Sequence, residues 1–268
     1  MLQSNHFRIF KSAQLDHEDV TLSVEIIAHR GFSSIAPENT LTALLAAIYN
    51  QANSIEFDVQ ITADSVPVVF HDKSLNRITG TPGTIREKTI SELKELDAGT
   101  WFAESYRGER IPTLEEALAA LKSIKGWLYF DIKPHAIWSD LEIKTLLGLI
   151  QEANLGYRTI LTSFDEDLLW QCRQSDPQIK LGYFVVNASQ LPQQISKAEA
   201  AGNAILSSQY QVILDQPSII QETRNKGVDI VVWTVDKIID FERLVDLGIE
   251  RIITNCLIGD NVIKNITY

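Results

Sequence analysis

Short apolar runs alternate with stretches of helical spacing along most of this chain. The runs fall at 24–29 (VEIIAH), 54–59 (SIEFDV), 67–71 (PVVFH), 127–132, 159–164, 180–185, 204–208, 229–235 and 251–255. Between them, 40–50, 113–124, 165–174 and 240–248 place apolar residues along one helical face. Near-continuous Val, Ile and Phe suits strands buried on both faces, and the alternation suits parallel βαβ units. The pattern therefore predicts an α/β fold, a closed (β/α)8 TIM barrel, with 54–59 and 67–71 joined by a tight turn at Ala63, Asp64 and Ser65. An open doubly wound sheet competes, but no glycine-rich fingerprint follows the first run.

One stretch breaks the alternation. Residues 72–112 carry turn signals, a short helix-like segment at 91–96, and the aromatics Trp101, Phe102 and Tyr106. A link this long predicts a small subdomain, about 73–112, inserted after the second strand region and leaning over one barrel end. Its aromatics are either a local core or a surface over the pocket. Residues 1–24 read as an N-terminal extension, leaving 25–268 for the barrel.

Charge narrows the function. Lys+Arg 24 against Asp+Glu 35 leaves a net −11, so no general positive field gathers phosphates and a nucleic-acid partner is excluded. Any phosphate bound here needs a local cationic cluster. With 268 residues the chain buries enough surface to fold without a disulfide or metal staple. Cys172 and Cys256 stand in apolar surroundings without metal or redox spacing, which predicts two buried thiols. The mixed polar start lacks a signal-peptide core, and no apolar run is long enough to span a bilayer. A cytoplasmic protein without stable membrane association is expected; the oligomeric state is not readable from the pattern.

Polar residues concentrate where barrel strands should end, the face on which such barrels work. They are His29, Arg30 and Gly31 after the first run, Glu56 and Asp58 in the second, His71 and Asp72 in the third, Asp131 and Lys133 in the fourth, then Ser163 and Trp233. Glu56 and Asp58, two apart on a strand, point to one face. Like charges so close call for a cation, and Asp131 repeats the geometry on the next strand. Three carboxylates without a soft ligand favour Mg2+ or Ca2+ over zinc. The alternative is a buried ionic network in which Arg30 and Lys133 neutralise them. His29 and His71, beside such a site, suggest a general acid and a general base. Arg30 and Lys133 suit a phosphate, the first through paired hydrogen bonds and the second as a point charge. Gly31 serves either close backbone approach to an oxyanion or a turn.

The strings IIAHRGFSSIAPENT (26–40) and SIEFDVQITADSVPVVFHD (54–72), then YFDIK (129–133) and VVWTVD (231–236), resemble the glycerophosphodiester phosphodiesterase family, bacterial type with an inserted subdomain. The likeness runs over roughly 25–258, and its elements recur in order. It implies metal-dependent hydrolysis of small glycerophosphodiesters to sn-glycerol 3-phosphate and an alcohol. His29 and His71 then match the acid/base pair, Glu56 and Asp58 two metal ligands, and Arg30 and Lys133 the phosphate-contacting cations. The resemblance adds Glu38 as a pocket carboxylate and Trp233 as an aromatic wall for the glycerol. Three positions depart from the family pattern. Asp131 replaces a usual glutamate, which keeps Mn2+ among the candidate ions. Asp236 replaces an asparagine, and Cys256-Leu257 stands where a proline is usual; both are expected at the pocket rim. Lysophospholipase D-like activity on lipid diesters, or a weakly catalytic phosphodiester-binding module, are the alternative functions.

Overall fold

Nine strands share one sheet in the computed structural model, which describes residues 24–256. They are β1 (Glu25–His29), β2 (Ser54–Ile61), β3 (Pro67–Val69), β4 (Leu128–Ile132), β5 (Thr159–Ser163), β6 (Lys180–Val185), β7 (Ala204–Gln209), β8 (Asp229–Trp233) and β9 (Arg251–Thr254). All but β3 pair in parallel in the order β1-β9-β8-β7-β6-β5-β4-β2, and β2 pairs back to β1. The barrel closes, as the alternation of runs predicts. Of the expected extension 1–24, all but Val24 lies outside the described residues.

The helices follow in chain order: α1 (Leu41–Tyr49), α2 (Asn76–Thr79), α3 (Ile90–Lys94), α4 (Leu114–Ala120), α5 (Asp140–Glu152), α6 (Glu166–Ser175), α7 (Leu191–Ala201), α8 (Tyr210–Asp215), α9 (Ile219–Asn225) and α10 (Ile238–Asp246). Local chemistry sets where several begin. Thr113 with Glu116 and Ser139 with Glu142 form capping boxes that satisfy the first free N–H groups of α4 and α5. Among the described residues no helix is long and apolar enough to cross a membrane.

Strand alternation sorts the core into two layers. Outward residues such as Phe57 and Phe130, ring centroids 4.5 Å apart, pack with the leucines of the helices. Inward residues Ile27, Tyr129, Ile160, Ile205, Val231 and Ile253 plug the barrel interior. Two residues further along β1, β2 and β4 the same inward face becomes polar, at His29, Asp58 and Asp131, with Glu56 level with Tyr129. That change marks the working end.

β3 runs antiparallel to β2, so 67–71 makes a hairpin rather than a barrel strand. Gly31 N–H donates to Glu56 O and Phe70 N–H to Asp58 O, which places the hairpin on the edge of β2 just past the end of β1. His71 is thereby carried to the barrel mouth beside His29. The following segment gathers its own cluster of Val68, Phe70, Leu75, Ile78, Ile85 and Leu93 among others. It is latched to the β1–α1 loop by Tyr106, whose hydroxyl donates to Ile35 O at 2.6 Å, and to α5 by Arg86 and Glu142, 2.6 Å apart.

One expectation needs correction: Cys172 is buried, but Cys256, two residues past the end of β9, is exposed. Gly31 has φ +77°, and a Cβ on it would lie 2.5 Å from the Ala43 carbonyl carbon. The turn reading of Gly31 holds: its left-handed backbone and its close packing against α1 both require glycine there.

Candidate active site

A cavity of about 290 Å3 opens at the C-terminal ends of the strands. One arc of its wall is charged: His29, Arg30, Glu56, Asp58, Asp131 and Lys133, with His71 from the hairpin. The other arc is largely apolar and includes Phe164, Phe184, Val186 and Trp233. Register explains the charged arc. His29 pairs with Glu56 across β1 and β2, and Asp58 with Asp131 across β2 and β4, so the acidic groups stack on adjoining strands.

Lys133 sits among these carboxylates. Its Nζ lies 2.7 Å from Asp58 Oδ1 and 2.5 Å from Asp131 Oδ2. Arg30 Nε lies 3.4 Å from Asp58 Oδ2, and Asn39 Nδ2 donates to that oxygen at 2.7 Å. Burial alone would raise the Asp58 pKa, but Lys133 and Arg30 more than offset it and hold the carboxyl well below its ordinary range. Glu56 behaves oppositely: burial, then repulsion from Asp58 and Asp131, pushes its pKa well up. Asp131 is also raised, by burial and then by Asp58, although Lys133 opposes. Three carboxylates thus share two cations, and Glu56 and Asp131 ionise reluctantly for want of a further positive charge.

That imbalance is where a divalent cation fits. Oxygens of Glu56, Asp58 and Asp131 all lie within 4.8 Å of one another. Asp131 Oδ1 is buried without a hydrogen-bond partner. A set of hard oxygen donors with an orphaned acceptor suits Mg2+, Ca2+ or Mn2+. The ionic network and the cation site are therefore not exclusive, since Lys133 engages only one oxygen of each aspartate.

The two imidazoles line the same cavity and are held differently. Asp236 accepts from Asn255 Nδ2 at 2.7 Å and from the Asn255 backbone N–H at 2.8 Å, which fixes the amide. Asn255 Oδ1 then faces His29 Nδ1 at 2.7 Å, so Nδ1 carries the proton and Nε2 presents its lone pair. Burial, then the neighbouring Arg30, pushes the His29 pKa down to about 4. His71 Nδ1 instead meets a carboxylate, Asp72 Oδ1, at 2.8 Å. Asp72 is brought down to about 2, first by its hydrogen bonds from Arg77. Asp236, expected at the pocket rim, in fact stands behind Asn255 and reaches His29 through it.

Glu38 groups with His71 and Asp72 rather than with Glu56, Asp58 and Asp131, and it accepts from Arg30 Nη1 at 2.8 Å, which orients that cation. Trp233 lies edge-on to Phe184, centroids 5.7 Å apart, and Phe184 stacks on Phe164 at 4.3 Å. Trp101, Phe102 and Tyr106 form an edge-to-face series within the inserted segment, and none lines the cavity. The sequence reading missed Asn39, Asn255, Arg77, Phe164 and Phe184. Asn255 closes an apolar run, as His29 and His71 do, and that signal was available.

The model of the Glycerophosphoryl diester phosphodiesterase family matches residues 29–257. A glycerophosphodiester phosphodiesterase of Caldanaerobacter subterraneus is 34% identical over 231 residues, covering 86% of this chain and 93% of that protein. One from Bacillus subtilis is 30% identical over 85% of this chain and 82% of its own length. Among solved structures, an Oleispira antarctica phosphodiesterase in complex with the product sn-glycerol-3-phosphate superposes with TM-score 0.81, at 27% identity over 90% of this chain and 96% of that one.

Proposed function

The chain belongs to the glycerophosphoryl diester phosphodiesterase family, a family of phosphoric diester hydrolases, and from that premise we propose a specific chemistry. It hydrolyses glycerophosphodiesters to sn-glycerol 3-phosphate and an alcohol, with His29 as general base and His71 as general acid. The observation that carries this assignment is the contrast between the two Nδ1 partners. Neutral Asn255 holds His29 as an uncharged ring with a free Nε2 lone pair, suited to accept a proton. The Asp72 carboxylate at His71 balances a positive ring, suited to give one.

His29 Nε2 takes the proton of the attacking water, or of the glycerol hydroxyl, as its oxygen bonds to phosphorus. The bond from phosphorus to the alcohol oxygen breaks, and His71 Nε2 protonates that oxygen as it leaves. Where the glycerol hydroxyl attacks, a cyclic phosphate forms, and water opens it with the two histidines in exchanged roles. Lys133 spends two of its three N–H donors on Asp58 and Asp131, leaving one for a nonbridging phosphate oxygen. Arg30, oriented by Glu38, adds a second positive group. Glu56, Asp58 and Asp131 would hold the divalent cation, which when bound supplies further positive charge to the phosphate. Trp233, with Phe184 and Phe164 behind it, offers the apolar surface for the carbon skeleton of the substrate.

Glycerophosphocholine turnover after chelation, and again with Mg2+, Ca2+ or Mn2+ restored, tests the reading. Activity is expected to vanish and return. His29→Ala and His71→Ala are each expected to lower kcat by at least roughly 10²-fold with unaltered melting. Turnover retained in both variants overturns the pair. Binding without turnover in the wild type marks a binding module instead, and preference for lysophospholipids marks a lipid-directed enzyme.

A further inference from the structure

Arg77 lies outside the cavity, in the short α2 of the inserted segment, yet both cationic arms of the site run back to it. Its Nε and Nη2 donate to the two oxygens of Asp72 at 2.6 and 2.9 Å. Its Nη2 and Nη1 donate to the two oxygens of Glu38 at 2.7 and 3.1 Å. Asp72 in turn accepts from His71 Nδ1, and Glu38 from Arg30 Nη1, each at 2.8 Å. The Arg77 guanidinium carbon stands 5.3 Å from the Trp101 ring centroid, and Trp101 is itself fixed by donating Nε1 to Ala98 O at 2.9 Å.

We propose that Arg77 is a positioning residue that locks the Asp72–His71 pair and the Glu38–Arg30 pair into one frame, so that His71 delivers its proton to the leaving oxygen. A planar fork with donors on two edges holds both oxygens of each of two carboxylates in fixed directions, a doubly bidentate contact that a single ammonium cannot reproduce. Stability alone does not account for this arrangement. The Arg77 side chain is 44% exposed, and ion pairs that open to water add little to the fold. The directional consequence is larger, because proton donation tolerates little misplacement of the ring. The inserted segment thus contributes to the chemistry through a residue that does not line the cavity.

The inference rests on His71 as the general acid, and leaving-group chemistry separates the two claims. A choline alkoxide needs a proton as it departs; a p-nitrophenolate does not. Turnover of glycerophosphocholine and of the p-nitrophenyl ester of glycerol 3-phosphate is measured in wild type, Arg77→Ala, Arg77→Lys and His71→Ala. Arg77→Ala is expected to slow the choline substrate by roughly ten- to a hundred-fold and the nitrophenyl substrate far less, with melting unchanged. Arg77→Lys, keeping the charge but not the fork, is expected to stay closer to alanine than to wild type. Equal slowing of both substrates, no slowing, or full recovery by lysine overturns the positioning role. If His71→Ala discriminates between the leaving groups while Arg77→Ala does not, only this inference falls. If His71→Ala treats them alike, the acid assignment itself falls.

Discussion

The two arcs of the cavity are built on the same barrel by opposite means. From β1, β2 and β4 the wall is ionic: Glu56, Asp58 and Asp131 on inward strand positions, against Arg30 and Lys133 just past the ends of β1 and β4. From β5, β6 and β8 it is aromatic: Phe164, Phe184 and Trp233, stacked or edge-on to one another. On the first arc each buried charge depends on its neighbours, so one loss disturbs the rest. On the second arc a loss removes apolar contact area but strands no buried charge. On the proposed chemistry, bond-breaking belongs to the ionic side and recognition of the organic part to the aromatic side. Substitutions on the two arcs should therefore leave different kinetic signatures.

The sharpest way to break this division is Lys133→Met. It removes the cation between Asp58 and Asp131 and leaves two buried carboxylates facing each other. We expect kcat/KM for glycerophosphocholine to fall by roughly 10²- to 10³-fold, through kcat. A near-normal value would mean that the phosphate is held elsewhere. A smaller effect of a different kind belongs to Phe184→Ala, which removes the ring linking Phe164 to Trp233. Losing such contacts costs about 1 kcal/mol, or roughly fivefold, and it should appear in KM with kcat preserved. If kcat falls instead, the aromatic arc also shapes the transition state and the division fails.

The same contrast governs what the sequence made legible. His29, Glu56, Asp58, His71 and Asp131 stand out because each interrupts an apolar strand at the end where barrels work. Phe164 and Phe184 break no pattern: within the runs 159–164 and 180–185, a ring facing the cavity reads like a ring facing the core. The closed barrel was legible from alternation, since parallel strands joined by helices leave few other topologies. The hairpin at 67–71 was legible as a pair, but its seat past the end of β1 depends on three-dimensional register. Long-range pairings were not legible at all. Nothing near Arg77 in sequence announces Glu38, 39 residues away, and nothing near Asp236 announces His29 behind Asn255. The pairing of Asp131 with Lys133, two apart at the end of one strand, was legible as a buried ionic network, whereas the reach of Lys133 to Asp58 follows from the register of β2 against β4.

A substitution away from both arcs sets the baseline against which these effects are read. Glu142 caps α5 and binds Arg86 of the inserted segment and the Ser65 hydroxyl. Burial would raise its pKa, but the Ser139 N–H, Arg86 and Ser65 together bring it from 4.5 to about 2. Because the folded value lies below the unfolded one, its stabilisation is complete above pH 4.5 and is lost as the pH falls towards 2. Glu142→Gln should therefore cost roughly 2 kcal/mol at neutral pH. The gap from wild type should close on acidification, as urea melts across that range would record. A gap that stays constant with pH would mean that the carboxylate acts by shape and not by charge. Turnover below the melting range should be untouched, since Glu142 holds the inserted segment to α5 and lines neither arc.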